Sequence, residues 1–383
     1  MHQGSSTSRA NNEGAPLIAL AIPSIGYGGA EIVNVALGRE FLKRGFRVDF
    51  VTGWDEAGSK ELIPKGARHV GLGVRRTRET LGPLMKYFRC ERPDVMLASM
   101  WPFTTTCVMA HCMSKSPSKI AVVEHSTLST QYEESGALVS FFLRKSLAIS
   151  YRRAHARIVV SSSVADDLAT LSGIPRDRFE VIHNPMPMAM DAELQPDPLT
   201  IWRGWQGPRI LTVGRLKKAK NHALLISAFK RLLARMDSRL LILGDGDLEM
   251  QTLSFAQAEG VADKVIFAGR SRNPLPYYLS ADLFVMSSSR EGFGNVIIEA
   301  LSCGLPVVST DCGGPADILE NGRYGRLVPG NDAEALAQAM QDSLGAHHDK
   351  EALQRRAAEF SPDRIADRYL GLVFPLQDRN ISV

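Results

Sequence analysis

The chain has 383 residues, of which 44% are hydrophobic, and it carries 45 basic against 41 acidic side chains. This length exceeds what one ordinary hydrophobic core organises, so two domains are expected. No apolar run approaches the ~20 residues of a membrane span, and no basic stripe with interleaved aromatic residues indicates nucleic-acid binding. The five cysteines are scattered without CxxC spacing, which argues against a zinc or disulfide framework and favours a reducing cytoplasm.

The N-terminal segment divides into a leader and the start of a domain. Residues 1–15 are rich in Ser, Asn and Gly and lack an apolar segment, which predicts a disordered leader. An apolar run at 16–23 predicts the first strand of a domain that extends to residue 187. A loop ending in Gly28 and Gly29 follows, and then a helix. Such a loop can approach a phosphate through its backbone N–H groups, although a merely tight turn is an open alternative.

Further α/β units follow in the first domain. Five more apolar runs predict strands at 46–52, 94–98, 120–123, 157–161 and 179–182. Strands that alternate with helices imply a parallel sheet. His125 comes just after the third of these runs, and ligands bind at the carboxyl ends of such strands. A ligand-binding and a structural role for His125 are both open at this point.

One helix of the first domain combines apolar residues with flanking cations. Residues 137–153 could lie against a membrane face, but a core helix with solvated ends is the favoured interpretation. Residues 1–190 carry a net charge of +6 and the remainder −2. A basic first half suits an anionic acceptor or a lipid surface. An ordinary solvated surface explains the same charge.

The second domain begins after a proline-rich linker. The linker is placed at 188–200 and the domain at 201–360. Its first predicted strand, 209–213, leads into a loop that contains four cations. Arg215 can grip a phosphate as a fork and Lys220 as a point charge; Lys217 and Lys218 are interpreted as solvated.

Four later apolar runs predict strands at 240–243, 264–267, 281–286 and 306–309. The first of these ends in Gly244-Asp245-Gly246-Asp247. This run is compatible with a pair of metal-binding carboxylates or with a turn whose backbone touches a nucleotide. The second interpretation is favoured because the loop cations already neutralise phosphate, and no metal is expected.

Residues 287–299 connect a buried strand to a helix through a glycine-bearing turn. Gly294 precedes the helix start at Asn295, and the unpaired N–H groups and dipole of a helix start attract an anion. Glu291 lies just before the turn and Glu299 about one helical turn inside. Two carboxylates on either side of an anion suit the hydroxyls at both ends of a nucleotide sugar. Two solvated glutamates are the alternative.

Four groups of residues together resemble the retaining GT-B glycosyltransferases of family 4. These groups are 28–31, 214–216 with 220–221, 244–246, and 291–299 followed by 313–314. The resemblance spans nearly all of residues 16–370. It implies an α/β fold with two Rossmann-like domains facing each other across a cleft, and a C-terminal helix at 361–376 that crosses back to the first domain.

The resemblance also implies roles for individual residues. Arg215 and Lys220 would hold the diphosphate, Glu299 the ribose hydroxyls and Glu291 those of the transferred sugar. His125 would contact the sugar near the reacting carbon. The implied donor-binding residues are Gly28, Gly29, Gly244, Gly269, Arg270, Phe293, Gly294, Asn295, Val296 and Glu299.

The implied activity is retaining transfer of a hexose or N-acetylhexosamine from a nucleoside diphosphate sugar, with uridine favoured as the base. A glycan or polyprenyl-diphosphate-linked acceptor in bacterial surface polysaccharide synthesis is expected, in the cytoplasm at the inner face of the plasma membrane. No cofactor, metal or nucleic acid is expected, whereas a peripheral contact with an anionic membrane fits. A nucleotide-sugar epimerase and a non-catalytic binding relative are the alternatives. The sequence 183–185, His-Asn-Pro, departs from the Asn-Gly of many relatives and leaves acceptor contacts open there.

Overall fold

The computed structural model describes residues 14–26, 28–54, 59–186 and 198–374. These residues form two compact units. The N-terminal unit holds the described parts of 14–160, 164–185 and 362–374, and the C-terminal unit holds 161–163, 186 and 198–361. The predicted leader, except residues 14 and 15, and the predicted linker, except residues 198–200, lie outside the described residues.

The strands alternate with helices along both units. The strands are β1 Leu17–Ile22, β2 Arg47–Thr52, β3 Arg68–Gly71, β4 Val95–Ser99, β5 Lys119–Glu124, β6 Ala156–Val159, β7 Glu180–Val181, β8 Arg209–Val213, β9 Arg239–Leu243, β10 Val265–Gly269, β11 Leu283–Met286, β12 Val307–Thr310 and β13 Arg326–Val328.

The α-helices are α1 Gly29–Lys43, α2 Leu81–Glu91, α3 Phe103–Ser114, α4 Leu128–Gln131, α5 Gly136–Ser150, α6 Ser162–Ser172, α7 Pro198–Ile201, α8 His222–Leu233, α9 Glu249–Ala258, α10 Leu275–Ser280, α11 Asn295–Ser302, α12 Gly314–Ile318, α13 Ala333–Gly345, α14 Lys350–Ala358 and α15 Pro362–Val373. Short 3-10 helices include Tyr151–Arg153 and Lys218–Lys220. Among the described residues, no helix combines the length and the apolarity that crossing a bilayer requires.

The N-terminal unit is built on a seven-stranded parallel sheet with the order β3-β2-β1-β4-β5-β6-β7. The strand order reverses between β1 and β4, which is where ligands bind in doubly wound folds. All six residues of β1 are buried, as expected of a parallel strand covered on both faces. The last helix, α15, completes this core with Ile365, Tyr369 and Leu370.

The C-terminal unit repeats this plan with six parallel strands in the order β10-β9-β8-β11-β12-β13. Its order reverses between β8 and β11. Helices α8 and α13 pack on the sheet with Leu225, Phe229, Leu336 and Met340, all fully buried. The two parallel α/β units confirm the predicted fold class.

The two strands that sequence analysis did not predict, β3 and β13, are short edge strands with little burial. β3 and β13 have only four and three residues, and each ends its sheet. Such strands have one neighbour and partly exposed side chains, so they lack the continuous apolar run that identifies the central strands.

Candidate active site

The loops that follow β8 and β11 are joined at the point where the C-terminal sheet reverses its order. The Ser289 N–H donates to the Ala219 carbonyl at 2.8 Å. The Ser287 hydroxyl donates to the Lys220 carbonyl at 2.9 Å. These bonds hold the cationic loop of residues 214–221 beside the glycine-bearing turn of residues 287–294.

Gly244 supports this arrangement from β9. A Cβ atom at Gly244 would overlap the Gly214 carbonyl, so only glycine allows the two loops to lie this close. The Gly244 N–H donates to the Gly269 carbonyl at 2.7 Å, and the Leu216 N–H donates to the Asp245 carbonyl at 2.8 Å. The structure therefore gives Gly244 a packing role and uses its N–H within the protein. The expected binding of the nucleotide-sugar donor by Gly244 and Gly269 stays a prediction.

The two predicted phosphate-binding cations differ in their surroundings. Arg215 is exposed, and its guanidinium makes no hydrogen bond or ion pair with any residue that the structure describes. Lys220 is largely covered, and its Nζ lies 2.5 Å from Glu291 Oε1. The side chains of this ion pair are only 17% and 16% exposed. Arg215 is thus open to a ligand, whereas Lys220 is held in place by a carboxylate.

Glu291 is fixed at one oxygen. Its Oε1 accepts from Lys220 and from the Ser288 hydroxyl at 2.8 Å, while its Oε2 has no hydrogen-bond partner within the described part of the chain. Burial raises the pKa of the Glu291 carboxyl, but Lys220 and Ser288 lower it more, so the net shift is downward. Glu291 is consequently an ionised, acceptor-only group at neutral pH, with one oxygen available for a hydroxyl.

Glu299 on α11 is also held at one carboxylate oxygen, but its partner is a neutral hydroxyl instead of a cation. The buried Tyr278 hydroxyl donates to Glu299 Oε2 at 2.7 Å, and Glu299 Oε1 has no hydrogen bond to a described residue. Burial raises the pKa of the Glu299 carboxyl to about 7, although Tyr278 and Lys220 oppose the shift. The charge on Glu299 is therefore sensitive to pH near neutrality.

The turn before α11 leaves the helix start open. Gly294 adopts φ +109°, a left-handed conformation that favours glycine, and no side chain caps the helix at Asn295 and Val296. Phe293 is 3% exposed, and its ring packs edge-on against Phe360 at 5.7 Å. The backbone around these residues is thereby anchored while the first turn of α11 stays partly accessible.

The electrostatics of the cationic loop extend beyond the two predicted residues. Burial lowers the pKa of the Lys217 ammonium, and Lys220, Arg215 and Arg290 lower it further, whereas Glu291 opposes them. Lys217, interpreted from sequence as solvated, therefore lies within a cluster of cations. An anion would relieve the mutual repulsion of this cluster.

Asp245 and Asp247 are exposed, as is Arg270. Within the described ranges, no group of three or more His, Cys, Asp or Glu side chains is placed to hold a metal ion.

In the N-terminal unit, His125 follows β5 at the carboxyl edge of the sheet. Both ring nitrogens are buried, and neither has a hydrogen-bond partner among the described residues. Burial lowers the pKa of His125 to about 4, with Asn184 opposing the shift. The ring is therefore neutral at physiological pH, and its nitrogens, with only the Asn184 amide nearby among the described polar groups that affect its pKa, suit a hydroxyl-bearing ligand.

The residue before His125 belongs to a buried network. Glu124 is 2% exposed and accepts from the Tyr151 hydroxyl and from the Thr104 hydroxyl at 3.2 Å. Burial raises the pKa of the Glu124 carboxyl to about 7, against the lowering effect of these hydrogen bonds. This network fixes the end of β5 from which His125 projects.

The other predicted residues of this unit, Gly28 and Gly29, lie at the start of α1. A Cβ atom at Gly28 would overlap the carboxylate of Glu31. The Glu31 side chain therefore folds back against Gly28 at the N-terminus of α1. Donor binding by Gly28 and Gly29 stays a prediction.

Sequence reasoning missed Tyr278, Ser288 and Lys217. Tyr278 and Ser288 orient the two carboxylates, but neither side chain lies in a pattern that indicates this role. Only the packing of α10 against α11 brings Tyr278 to Glu299. Lys217 could have been identified from sequence by the density of cations in residues 214–221.

Two family models match the chain, one for each half. The model described as Glycosyltransferase Family 4 matches residues 27–189, and the model described as Glycosyl transferases group 1 matches residues 207–345. Together they account for most of the chain.

Curated relatives match over part of their length. A Campylobacter jejuni N-acetylgalactosamine-N,N'-diacetylbacillosaminyl-diphospho-undecaprenol 4-alpha-N-acetylgalactosaminyltransferase is 29% identical over 62% of this chain and 64% of its own. The Rhizobium meliloti lipopolysaccharide core biosynthesis glycosyltransferase LpsE is 36% identical over 43% of this chain and 49% of its own. The chain thus matches less than two thirds of either relative.

The fold also matches solved structures. The crystal structure of Anabaena HepE in complex with UDP-glucose superposes with a TM-score of 0.74 at 19% identity, covering 92% of this chain and 97% of that one. At this identity the likeness concerns the fold, which is the GT-B architecture of two Rossmann-like domains.

Proposed function

Since the chain belongs to the GT-B glycosyltransferases of family 4, we propose that it transfers a hexose or N-acetylhexosamine from a nucleoside diphosphate sugar to a glycan or lipid-linked acceptor. The observation that carries the proposal is the C-terminal site. The site combines Arg215, Lys220 and an uncapped helix start with Glu291 and Glu299. Arg215 and one oxygen of each carboxylate have no partner among the residues that the structure describes. This set matches an anion flanked by hydroxyl groups.

The cations also provide the chemistry. When the bond from the sugar C1 to the phosphate oxygen breaks, negative charge develops on the leaving diphosphate. Fixed donors stabilise such charge most strongly where it appears, and loss of one donor costs about 10²–10³ in rate in other enzymes. We assign this role to Arg215, Lys220 and the N–H groups at the start of α11, so that transfer would proceed without a metal ion.

The proposal includes retention of configuration by front-side attack. The acceptor oxygen bonds to C1 on the face that the diphosphate leaves, and the departing phosphate oxygen takes the acceptor proton. No side chain is assigned as a nucleophile. The family resemblance gives His125 a contact with the transferred sugar, and a neutral ring with two unused nitrogens suits a hydroxyl-bearing ligand.

The similar proteins support a choice of sugar donor and of acceptor. Anabaena HepE was crystallised with UDP-glucose, and the name of the Campylobacter relative gives a diphospho-undecaprenol acceptor. We propose a uridine diphosphate sugar and an acceptor of lipid-linked or lipopolysaccharide type, in bacterial surface glycan synthesis at the inner face of the plasma membrane. An acceptor of this kind lies in a membrane, so the proposal includes a peripheral contact with an anionic bilayer.

The test is a product analysis with the full chain. UDP- and GDP-sugars are incubated with lipid-diphosphate and water-soluble sugar acceptors, with and without EDTA, and products are identified by mass spectrometry and NMR. We expect acceptor-dependent release of nucleoside diphosphate, an axial product from an axial donor, and equal rates with EDTA. Sugar interconversion without an acceptor would establish an epimerase instead, and nucleotide binding without turnover on any acceptor would establish a binding protein.

A further inference from the structure

Helix α5 carries an apolar surface on the side that faces away from its own buried residues. Leu143, Leu147 and Ser150 are buried, whereas four large apolar residues project outward. These four, which we term the α5 outer face, are Leu138 at 69%, Phe141 at 53%, Phe142 at 58% and Ile149 at 57% exposure. At 100° per residue they cluster opposite the buried side. The interpretation of this helix as a core helix was therefore wrong for half of its surface.

The neighbouring helix α3 also exposes large apolar residues. α3 packs beside α5, with Thr105 and Ser150 hydroxyls 3.2 Å apart. Its exposed residues include Met109 and Met113, at 47% and 51% exposure. Monomeric proteins rarely expose several large apolar side chains together unless the surface binds a partner.

The charged side chains of α5 and of the short 3-10 helix that follows it are all basic. Arg144, Lys145, Arg152 and Arg153 are exposed, and none of them pairs with a carboxylate within the described residues. Arg152 and Arg153 instead donate to carbonyls at the end of α5. No acidic residue occurs anywhere from 135 to 165. The basic side chains of α5 therefore have no acidic neighbour within the helix, and the nearest acidic residues before it in sequence are Glu133 and Glu134.

Lys145 shows how charge and apolar surface are combined. It lies at the centre of the α5 outer face, and its Nζ is 5.8 Å from the centre of the Phe141 ring. A long cationic side chain among exposed aromatic rings can keep its ammonium at the level of lipid headgroups while the rings enter the interface.

We propose that the α5 outer face and its four cations form a docking surface for an anionic lipid bilayer. The combination of aromatic and aliphatic residues with unpaired cations matches a bilayer surface, which offers an apolar interior beneath negative headgroups. An acidic protein or a second copy of this chain would need its own complementary surface. The inference extends the proposed function, because it specifies how the enzyme reaches an acceptor embedded in a membrane.

The test measures cosedimentation of the full chain with vesicles that contain neither donor nor acceptor. Vesicles of equal parts phosphatidylcholine and phosphatidylglycerol are compared with phosphatidylcholine alone. We expect binding to the anionic vesicles, and about a tenfold or larger loss of partitioning for Phe141→Ser/Phe142→Ser and for Arg144→Glu/Lys145→Glu. High salt should weaken the wild type towards the level of the charge-reversed variant.

Matched controls distinguish binding by this surface from non-specific hydrophobic adsorption and from the effect of overall charge. Met250→Ser/Leu279→Ser removes apolar residues with 72% and 51% exposure from the C-terminal unit, and Arg75→Glu/Arg76→Glu reverses another basic cluster; both should bind vesicles normally. Equal losses in a control pair, or no binding by the wild type, would overturn the proposal. So would self-association in light scattering that Phe141→Ser/Phe142→Ser abolishes, which would identify a second copy as the occupant. Transfer to a water-soluble acceptor tests the proposed function separately.

Discussion

At the carboxyl edge of the C-terminal sheet most of the key side chains are charged, whereas at the same edge of the N-terminal sheet burial opposes charge. Arg215, Lys220 and Glu291 are ionised groups on loops. His125 is neutral with unused nitrogens, and Glu124 is buried with a raised pKa. The two units share the same order over six strands but present different chemistry. One edge suits a multiply charged anion, and the other suits a polar, uncharged group.

The largest effect on activity is expected where a cationic side chain binds the diphosphate. Arg215→Ala should reduce kcat/KM by about 10²–10³, since it removes a charged donor to the leaving diphosphate. The melting temperature should hardly change, because Arg215 is exposed and contributes no hydrogen bond or ion pair to any residue that the structure describes. Steady-state kinetics and thermal unfolding provide the measurement.

Lys218→Ala is the control for this variant, as it removes a cation from the same loop without removing an assigned phosphate contact. Its rate should stay near that of the wild type. Comparable losses for both variants would mean that the loop acts through its total charge, and a normal rate for Arg215→Ala would remove the assignment.

An intermediate effect on activity is expected at the carboxyl edge of the N-terminal sheet, where His125 lies. His125→Ala should lower kcat/KM by about 10- to 100-fold, the value of a lost hydrogen bond or two, while nucleoside diphosphate affinity changes little. Because the pKa of His125 is lowered to about 4, the wild-type rate should show no inflection from this histidine between about pH 5 and pH 8. Calorimetric titration with UDP and a pH–rate profile provide the measurement. A matching loss of UDP affinity would assign His125 to the anion instead of the sugar.

The smallest effect is expected at Glu299, because burial raises the pKa of its carboxyl to about 7 and leaves it partly protonated at neutral pH. If its carboxylate accepts ribose hydroxyls, UDP affinity should rise as pH increases through 7. Tyr278→Phe removes a hydrogen bond that lowers the pKa of Glu299, so the rise should move to higher pH and affinity at pH 7 should fall about 3- to 10-fold. Glu299→Gln should show no such rise. A rise that persists in Glu299→Gln would assign the titration to another group.

Sequence reasoning succeeded where one local pattern determines the structure. The central strands are continuous apolar runs, and each predicted strand occurs in the sheets within a few residues of its predicted position. The positions of Arg215 and Lys220 follow from a cationic loop after such a strand. The edge strands β3 and β13 carry too few buried residues to be seen this way.

The details of the site depend on contacts between distant segments, which no local pattern encodes. The pairing of Lys220 with Glu291 joins residues 71 positions apart, and Tyr278 reaches Glu299 from another helix. At Gly244 the structure shows a close crossing of two loops that excludes any Cβ, and the predicted contact of Gly244 with the sugar donor stays a prediction. Gly28 likewise lies against Glu31, a contact that depends on side-chain conformation.

The placement of α15 has a consequence for how the chain matures. Its residues Ile365, Tyr369 and Leu370 belong to the core of the N-terminal unit, although they are synthesised after the whole C-terminal unit. The portion made first on the ribosome must therefore wait for the last helix before its apolar interior is closed. Until α15 has been made, the side of α1 that it covers stays exposed, so the N-terminal unit reaches full stability only after the C-terminal unit has been translated.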